Sequence, residues 1–336
     1  MKKINKLSLA FIIVCILAIL IVPNSMGNYE LMVLNIGLIY AVASFGLSII
    51  LGMGGQLSFA GLPFMGVGAY TVGNLASGRL GSQVPPVDAI LIGMLIAGVI
   101  SWILGLILFR LQGTYFTFAT IALVQVAFSF YQNYQPLFGG AGGISGIPSL
   151  SVFGIEIGDA AHWFILLAIL VTIVALLVER IRSTQLGRSL AAIRDNETAA
   201  LTLGVNVYRT KIIAFIITGI LGALAGGLYA LNNGFISSDM FNFERSTLVI
   251  IITMIGGVNN SFGIVLGSIL INVIPEMLRD FTVISRLLQL IYGVLVIIMM
   301  IFMPMGIAGL VSTVYNKIKM SVKKKNSEKV AGDAAQ

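Results

Sequence analysis

The sequence predicts an all-α polytopic membrane protein with about ten transmembrane helices, and three observations carry that prediction. Of its 336 residues, 58% are hydrophobic and only 10% are charged, whereas soluble domains carry about a quarter charged residues. Residues 31–78, 89–109, 111–155, 246–275 and 287–316 hold nothing ionisable. A spanning helix needs about 20 mainly apolar residues, so the longer stretches contain two passes each. Finally, runs such as 291–303 are apolar without a period of two, unlike the alternating segments of about ten residues in a membrane barrel. With no water to satisfy the backbone in hydrocarbon, helices remain.

Taken in order, the expected spans are 7–22, 31–51, 57–77, 88–109, 113–134, 162–178, 211–231, 246–257, 260–278 and 286–310. The first follows Lys2, Lys3 and Lys6 as the apolar part of a signal peptide would. No small-x-small cleavage pattern follows Pro23, so it reads as an uncleaved span. Glycine, asparagine and proline clusters mark where the later spans turn back. The eighth span is short. Residues 1–316 form one membrane domain, with a cytoplasmic loop at 179–211, and 317–336 are expected to be a disordered basic tail. The single cysteine, Cys15, excludes an intrachain disulfide.

Charge orients this array. With the amino terminus inside, the cytoplasmic segments hold Lys2, Lys3, Lys6, Arg110, Arg180, Arg182, Arg188, Arg194, Arg209, Lys211 and the tail lysines, sixteen of the twenty Lys and Arg residues. Arg79, Arg245, Arg279 and Arg286 fall in outer segments. Cytoplasmic loops collect Lys and Arg, so both termini are expected in the cytoplasm. The net charge of +7 then reflects orientation rather than nucleic-acid binding.

Several function classes fail on what the spans lack. Ion-coupled carriers keep carboxylates, histidine or lysine inside their spans, and these spans have essentially none away from their ends. The lone His162 lies at an outer edge. Membrane metalloproteases need clusters such as H-E-x-x-H, and nucleotide motors need G-x-x-x-x-G-K-[ST]. Neither occurs, so the chain is expected to be no enzyme. Gly66-Val67-Gly68 has no strand before it and reads as helix packing. Gly222-x-x-x-Gly226 and Gly263-x-x-x-Gly267 fit close helix approach.

Two segments stand out. Residues 51–63 contain Gly52, Gly54, Gly55, Gln56, Ser58, Gly61 and Pro63, which suggests a broken helix. Irregular backbone at membrane depth is tolerated where protein or a watery cavity surrounds it. A plain turn between spans is the alternative. Residues 256–263 echo this segment weakly. The loop at 179–211 carries Asp195 as a cap for a helix over 196–203, with Gly204 as its stop signal. Asp195 and Glu197 would lie near the positive end of the helix dipole. Ala199, Ala200, Leu201 and Leu203 offer a face suited to a shallow groove on a partner, or to packing on the membrane domain itself.

Residues 187–206, with Arg194-Asp195-Asn196-Glu197-Thr198-Ala199-Ala200 at their centre, resemble the ATPase-facing loop of ABC importer permeases. More narrowly, they are similar to branched-chain amino acid permeases of the M type. Gly55-Gln56-Leu57-Ser58-Phe59-Ala60-Gly61, Arg110-Leu111-Gln112-Gly113-Thr114-Tyr115, residues 139–148, Tyr292-Gly293-Val294-Leu295 and Met303-Pro304-Met305-Gly306-Ile307 agree in the same order. The resemblance covers roughly residues 30–310. Leu111 and Gln112 depart from the family's Arg-x-Arg-Gly, and Met303 and Met305 replace its usual basic residue.

The resemblance implies a type II-like ABC importer permease in the cell membrane. Its partners would be a second related permease, two cytoplasmic ATPases that use ATP, and an external solute-binding protein, with no cofactor on this chain. It assigns ATPase coupling to Arg194, Asp195, Glu197, Ala199, Ala200 and Gly204. Polar residues within or beside spans three and five, Gln56, Ser58, Asn74, Tyr115, Thr117 and Gln125, are candidates for the substrate path, or for hydrogen bonds between helices. Branched-chain or other hydrophobic amino acids are the expected substrates. Urea, amides, nucleosides, sugars, or a facilitator or channel without ATPases, are the alternatives.

Overall fold

The computed structural model describes residues 6–81, 83–111, 113–152, 155–277, 290 and 293–294. The helices are α1 (Lys6–Ser25), α2 (Asn28–Leu47), α3 (Gly61–Ala76), α4 (Pro86–Leu108), α5 (Thr114–Asn133), α6 (Gln135–Phe138), α7 (Ala160–Ser183), α8 (Gln185–Asp195), α9 (Glu197–Thr202), α10 (Val207–Asn233), α11 (Phe243–Gly256) and α12 (Ser261–Met277). A π-helical turn, Ser48–Met53, prolongs α2. Helices thus lie at the first nine expected spans. The tenth, at 286–310, and the tail at 317–336 lie outside the described residues, apart from three positions. Five described helical segments are long and apolar enough to cross a membrane: Asn28–Met53, Pro86–Leu108, Thr114–Asn133, Ala160–Ser183 and Val207–Asn233.

The bundle is built around α2 and α10. Helix α10 packs on α2, α3 and α4, while α2 also meets α7 and α12. Small residues permit this. A Cβ at Gly222 would stand 2.9 Å from the Gly61 carbonyl oxygen, and one at Gly226 would run into the Met65 carbonyl. The second glycine pair packs α12 on α11, with Gly267 against the backbone of Ile252 and Gly256. Gly66 and Gly68 do the same within α3, facing Tyr131 and Ala223. In lipid such backbone approach replaces the hydrophobic drive that packs soluble helices.

The fold is not purely helical. Strand β1 (Ile144–Ser145) pairs with β4 (Phe235–Ile236), and β2 (Leu150–Val152) pairs with β3 (Ile155–Ile157), both antiparallel. These belong to connections between spans, where chain that folds back on itself must pair its backbone groups.

Candidate coupling site and membrane path

Helix α2 does end in a break rather than a simple turn. Past Met53 the chain runs without regular structure through residues 54–60, and α3 begins only at Gly61. Gly61 packs on Gly222, which lies about 22 Å along α10 from Val207 at the usual helical rise. The start of α3 is therefore well inside the bundle. Gly55 holds φ +66, a conformation that costs other residues but not glycine.

Side chains from three other elements satisfy the broken backbone. Arg194 Nη1 donates to the Gly52 oxygen at 3.0 Å. Thr117 Oγ1 donates to the Leu57 oxygen at 3.1 Å, and the Phe59 amide donates to Thr120 Oγ1 at 3.2 Å. Ser246 Oγ donates to the Phe59 oxygen at 2.7 Å. Ser58 Oγ accepts from the Ala60 amide at 3.2 Å. Thr120 and Ser246 were not singled out in the sequence, because nothing local to them signals a contact with residue 59.

The loop at 179–211 differs from the expected single helix over 196–203. It forms two helices, and Asp195 is the last residue of α8 instead of a cap. Asn196, in extended backbone, caps α9 by accepting from the Ala199 amide at 2.9 Å. The reason is that Asp195 is the last residue of α8, whereas Asn196 has the extended backbone that a capping residue needs. Gly204 does end the helix, at φ +81. Its amide donates to the Leu201 oxygen and that of Val205 to the Ala200 oxygen, both at 3.0 Å, the pattern of a Schellman stop.

The expected face of α9 is divided. Ala200 is 1% exposed and packs with Ile193 and Val207. Ala199, Leu201 and Leu203 point outward, the two leucines 55% and 80% exposed. Glu197 accepts from the buried Lys211 at 2.8 Å, tying α9 to the base of α10. So α9 has an anchored inner side and an apolar outer side.

Of the candidate path residues, Ser58 and Thr117 sit at the break, as described. Gln56 is half-buried at its start, its backbone N–H donating to the Ile50 oxygen. Asn74 donates to the Tyr70 and Leu137 oxygens, each at 2.8 Å. Its Oδ1 is buried without a protein partner. Tyr115 is 74% exposed at the foot of α5. Gln125 shares a shallow groove on α5 with Val126, Ser129, Phe130, Asn133 and Tyr134.

That groove separates α5 from its neighbours. The exposed large side chains of α4 include Leu91, Leu95, Val99, Trp102, Ile103 and Ile107, and those of α7 are Ile169, Ile173 and Leu177. Such faces suit lipid. On α5, Gln125, Ser129 and Asn133 recur every fourth residue on an exposed face. Polar side chains in a span face protein or water. Ser44 Oγ donates to the Val249 oxygen at 3.5 Å, which sets the first turns of α11 beside the middle of α2.

Over residues 30–303 the chain matches the family model described as branched-chain amino acid transport system / permease component. It is 30% identical over 307 residues to the high-affinity branched-chain amino acid transport system permease protein LivM of Escherichia coli strain K12, covering 84% of this chain and 70% of that protein. It is 24% identical over 240 residues to the probable branched-chain amino acid transport permease protein LivM of Methanocaldococcus jannaschii, covering 66% and 68%. The autoinducer 2 import system permease protein LsrC of Yersinia pseudotuberculosis serotype O:1b is 30% identical over 222 residues, covering 63% of this chain and 59% of that protein. No solved structure matches the chain.

Proposed function

Since this chain belongs to the family of permease components of branched-chain amino acid transport systems, we propose that it is one membrane subunit of an ATP-driven importer of branched-chain or other hydrophobic amino acids. The observation that carries this reading is helix α9. Its inner side is anchored by Ala200 and the Glu197–Lys211 pair, while Leu201 and Leu203 stand exposed on the same short helix. A helix of about six residues does not persist alone in water. This one is held by the membrane domain and presents leucines outward, as a docking element for a separate ATPase.

Arg194 extends the reading into the membrane. It leaves the end of α8, next to the docking helix, and grips the broken end of α2. Movement of a docked ATPase would pull on that break. The polar face of α5 is the surface for a second permease, with the solute path between the two. Both termini lie in the cytoplasm, about ten helices cross the membrane, and an external binding protein delivers the solute. Two ATPase subunits hydrolyse ATP; this chain binds no cofactor. Amino acids are preferred over the other solutes because the LivM proteins align over more of the chain than LsrC does.

The test is leucine uptake into proteoliposomes holding the assembled complex. Uptake should require ATP inside the compartment where α9 lies, together with the binding protein outside. Uptake without ATP would make the chain a facilitator. ATP-dependent uptake of ribose but not leucine would overturn the substrate.

A further inference from the structure

Among the described residues, buried side-chain polar atoms without a hydrogen-bond partner occur on Asn35, Tyr70, Asn74, Ser77 and Arg182. Three of these residues share one face of α3 and its C-cap. Tyr70, Asn74 and Ser77 are spaced i, i+4, i+7, which stacks their side chains along the helix, over about 10 Å at the usual rise. Tyr70 is 1% exposed and Asn74 4%. The orientation of the Asn74 amide is fixed, because its Nδ2 donates to both the Tyr70 and Leu137 oxygens. Its Oδ1 is therefore an acceptor that no protein group uses. Leaving a buried polar atom unmet is costly, so a row of three calls for a ligand or for ordered water.

Aromatic rings surround this row and lead outward from it. The Tyr70 ring meets those of Tyr131, Phe138 and Phe241 at centroid distances of 5.0, 4.8 and 5.8 Å. Phe138 is half-buried and also meets rings on its other side, 5.2 Å from Phe130 and 6.3 Å from Tyr134. Both of those line the open groove on α5. The residue before Phe138, Leu137, supplies the carbonyl that Asn74 holds. One aromatic side chain thus stands between the groove and the buried polar row. Moving it to another staggered rotamer needs no change in the backbone.

We propose that the α5 groove continues behind Phe138 into a subsite, formed by the Tyr70 hydroxyl, Asn74 Oδ1 and Ser77 Oγ, that takes the ammonium group of the transported amino acid. The proposal rests on the import reading above and adds to it the end of the solute that is read. Asn74 Oδ1 only accepts and both hydroxyls can accept, which suits a group with three N–H donors. The rings around the row add attraction for a cation through their faces. A carboxylate would meet the Asn74 oxygen, acceptor against acceptor. It stays in the groove, where the Gln125 amide can donate to it, and Val126 and Phe130 offer contact for an apolar side chain.

The experiment measures binding of tritiated leucine to the purified assembled complex, without binding protein or ATP, with assembly checked by size-exclusion chromatography. Leucine should bind the native complex. The hydroxy acid analogue of leucine, in which a hydroxyl replaces the ammonium, should displace it at least tenfold less well than unlabelled leucine does. Tyr70→Phe removes a hydroxyl that no protein group uses, so a purely structural row predicts unchanged binding. The subsite predicts leucine binding weakened at least fivefold and a smaller advantage over the hydroxy acid. Should Tyr70→Phe fail to assemble, Ser77→Ala removes another unpartnered hydroxyl and carries the same expectation. Native-like leucine binding by the assembled variant would mean that the row holds ordered water only. That result, equal displacement by the hydroxy acid, or no leucine binding by the native complex would each overturn the subsite. Uptake by the native complex, measured alongside, separates the two readings. ATP-driven leucine uptake leaves the import reading standing when the subsite fails, and uptake of ribose but not leucine overturns both.

Discussion

Arg194 Nη1 donates to the carbonyl oxygen of Gly52 at 3.0 Å across 142 residues of sequence. The same guanidinium holds Asp195 through Nε and Nη2, so one planar group joins the end of α8 to the broken end of α2. A Cβ on Gly55 would stand 2.6 Å from Arg194 Cγ, which explains why the stem can lie across this turn only beside glycine.

The first prediction concerns that link. Arg194→Ala should leave the complex assembled and hydrolysing ATP, with leucine uptake reduced at least tenfold. Arg194→Lys should recover part of the uptake, since an ammonium can reach one acceptor but lacks the fork that reaches both. Uptake and hydrolysis falling together in the alanine variant would show that Arg194 serves ATPase docking instead of transmission.

Docking itself is tested on α9. Leu203→Asp should abolish stimulation of hydrolysis without affecting membrane insertion, because Leu203 touches little of this chain. Glu197→Lys should act similarly, since it sets a second cation against the buried Lys211. Normal stimulation by both variants would remove the docking role.

At Gly204 the two possible costs of a side chain separate cleanly. No atom lies within 4 Å of a Cβ there, but φ is +81. Gly204→Ala should therefore cost about 1 kcal/mol in local helix stability through backbone strain alone. The expected result is full expression with impaired coupling. Asparagine, which tolerates this conformation better, should restore much of the activity, and failure to do so would point to a role for the missing side chain itself.

Packing glycines should behave differently. Gly226→Leu puts a side chain into the Met65 carbonyl on α3, and α10 and α3 form one of the tightest helix pairs in the bundle. Loss of folded protein is expected, read as aggregation on size-exclusion chromatography in detergent. A monodisperse Gly226→Leu protein would contradict this helix contact.

Orientation is tested by labelling in a Cys15→Ser background. Cysteine at Ser145, exposed in β1, should react with an impermeant maleimide from outside the cell. Cysteine at Ser327 should react only after permeabilisation. The reverse pattern would invert the topology.

Membrane class, helix positions and a glycine stop at the end of α9 were all legible in the residues. Each depends on composition or on neighbours in sequence: apolar length makes a span, and glycine at 204 allows the left-handed backbone that ends α9. The break after Met53 was legible for the same reason, since Gly52, Gly54, Gly55 and Pro63 act locally. What only the tertiary structure decided is who meets whom. Asn196 displaced Asp195 as the cap because α8 runs through Asp195 and the extended backbone falls at Asn196. Thr117, Thr120 and Ser246 became ligands of the broken backbone through contacts spanning 60 to 187 residues. Hydropathy records how apolar a segment is, but the depth and partner of a polar side chain follow from helix register, which close backbone packing sets only once the bundle has formed.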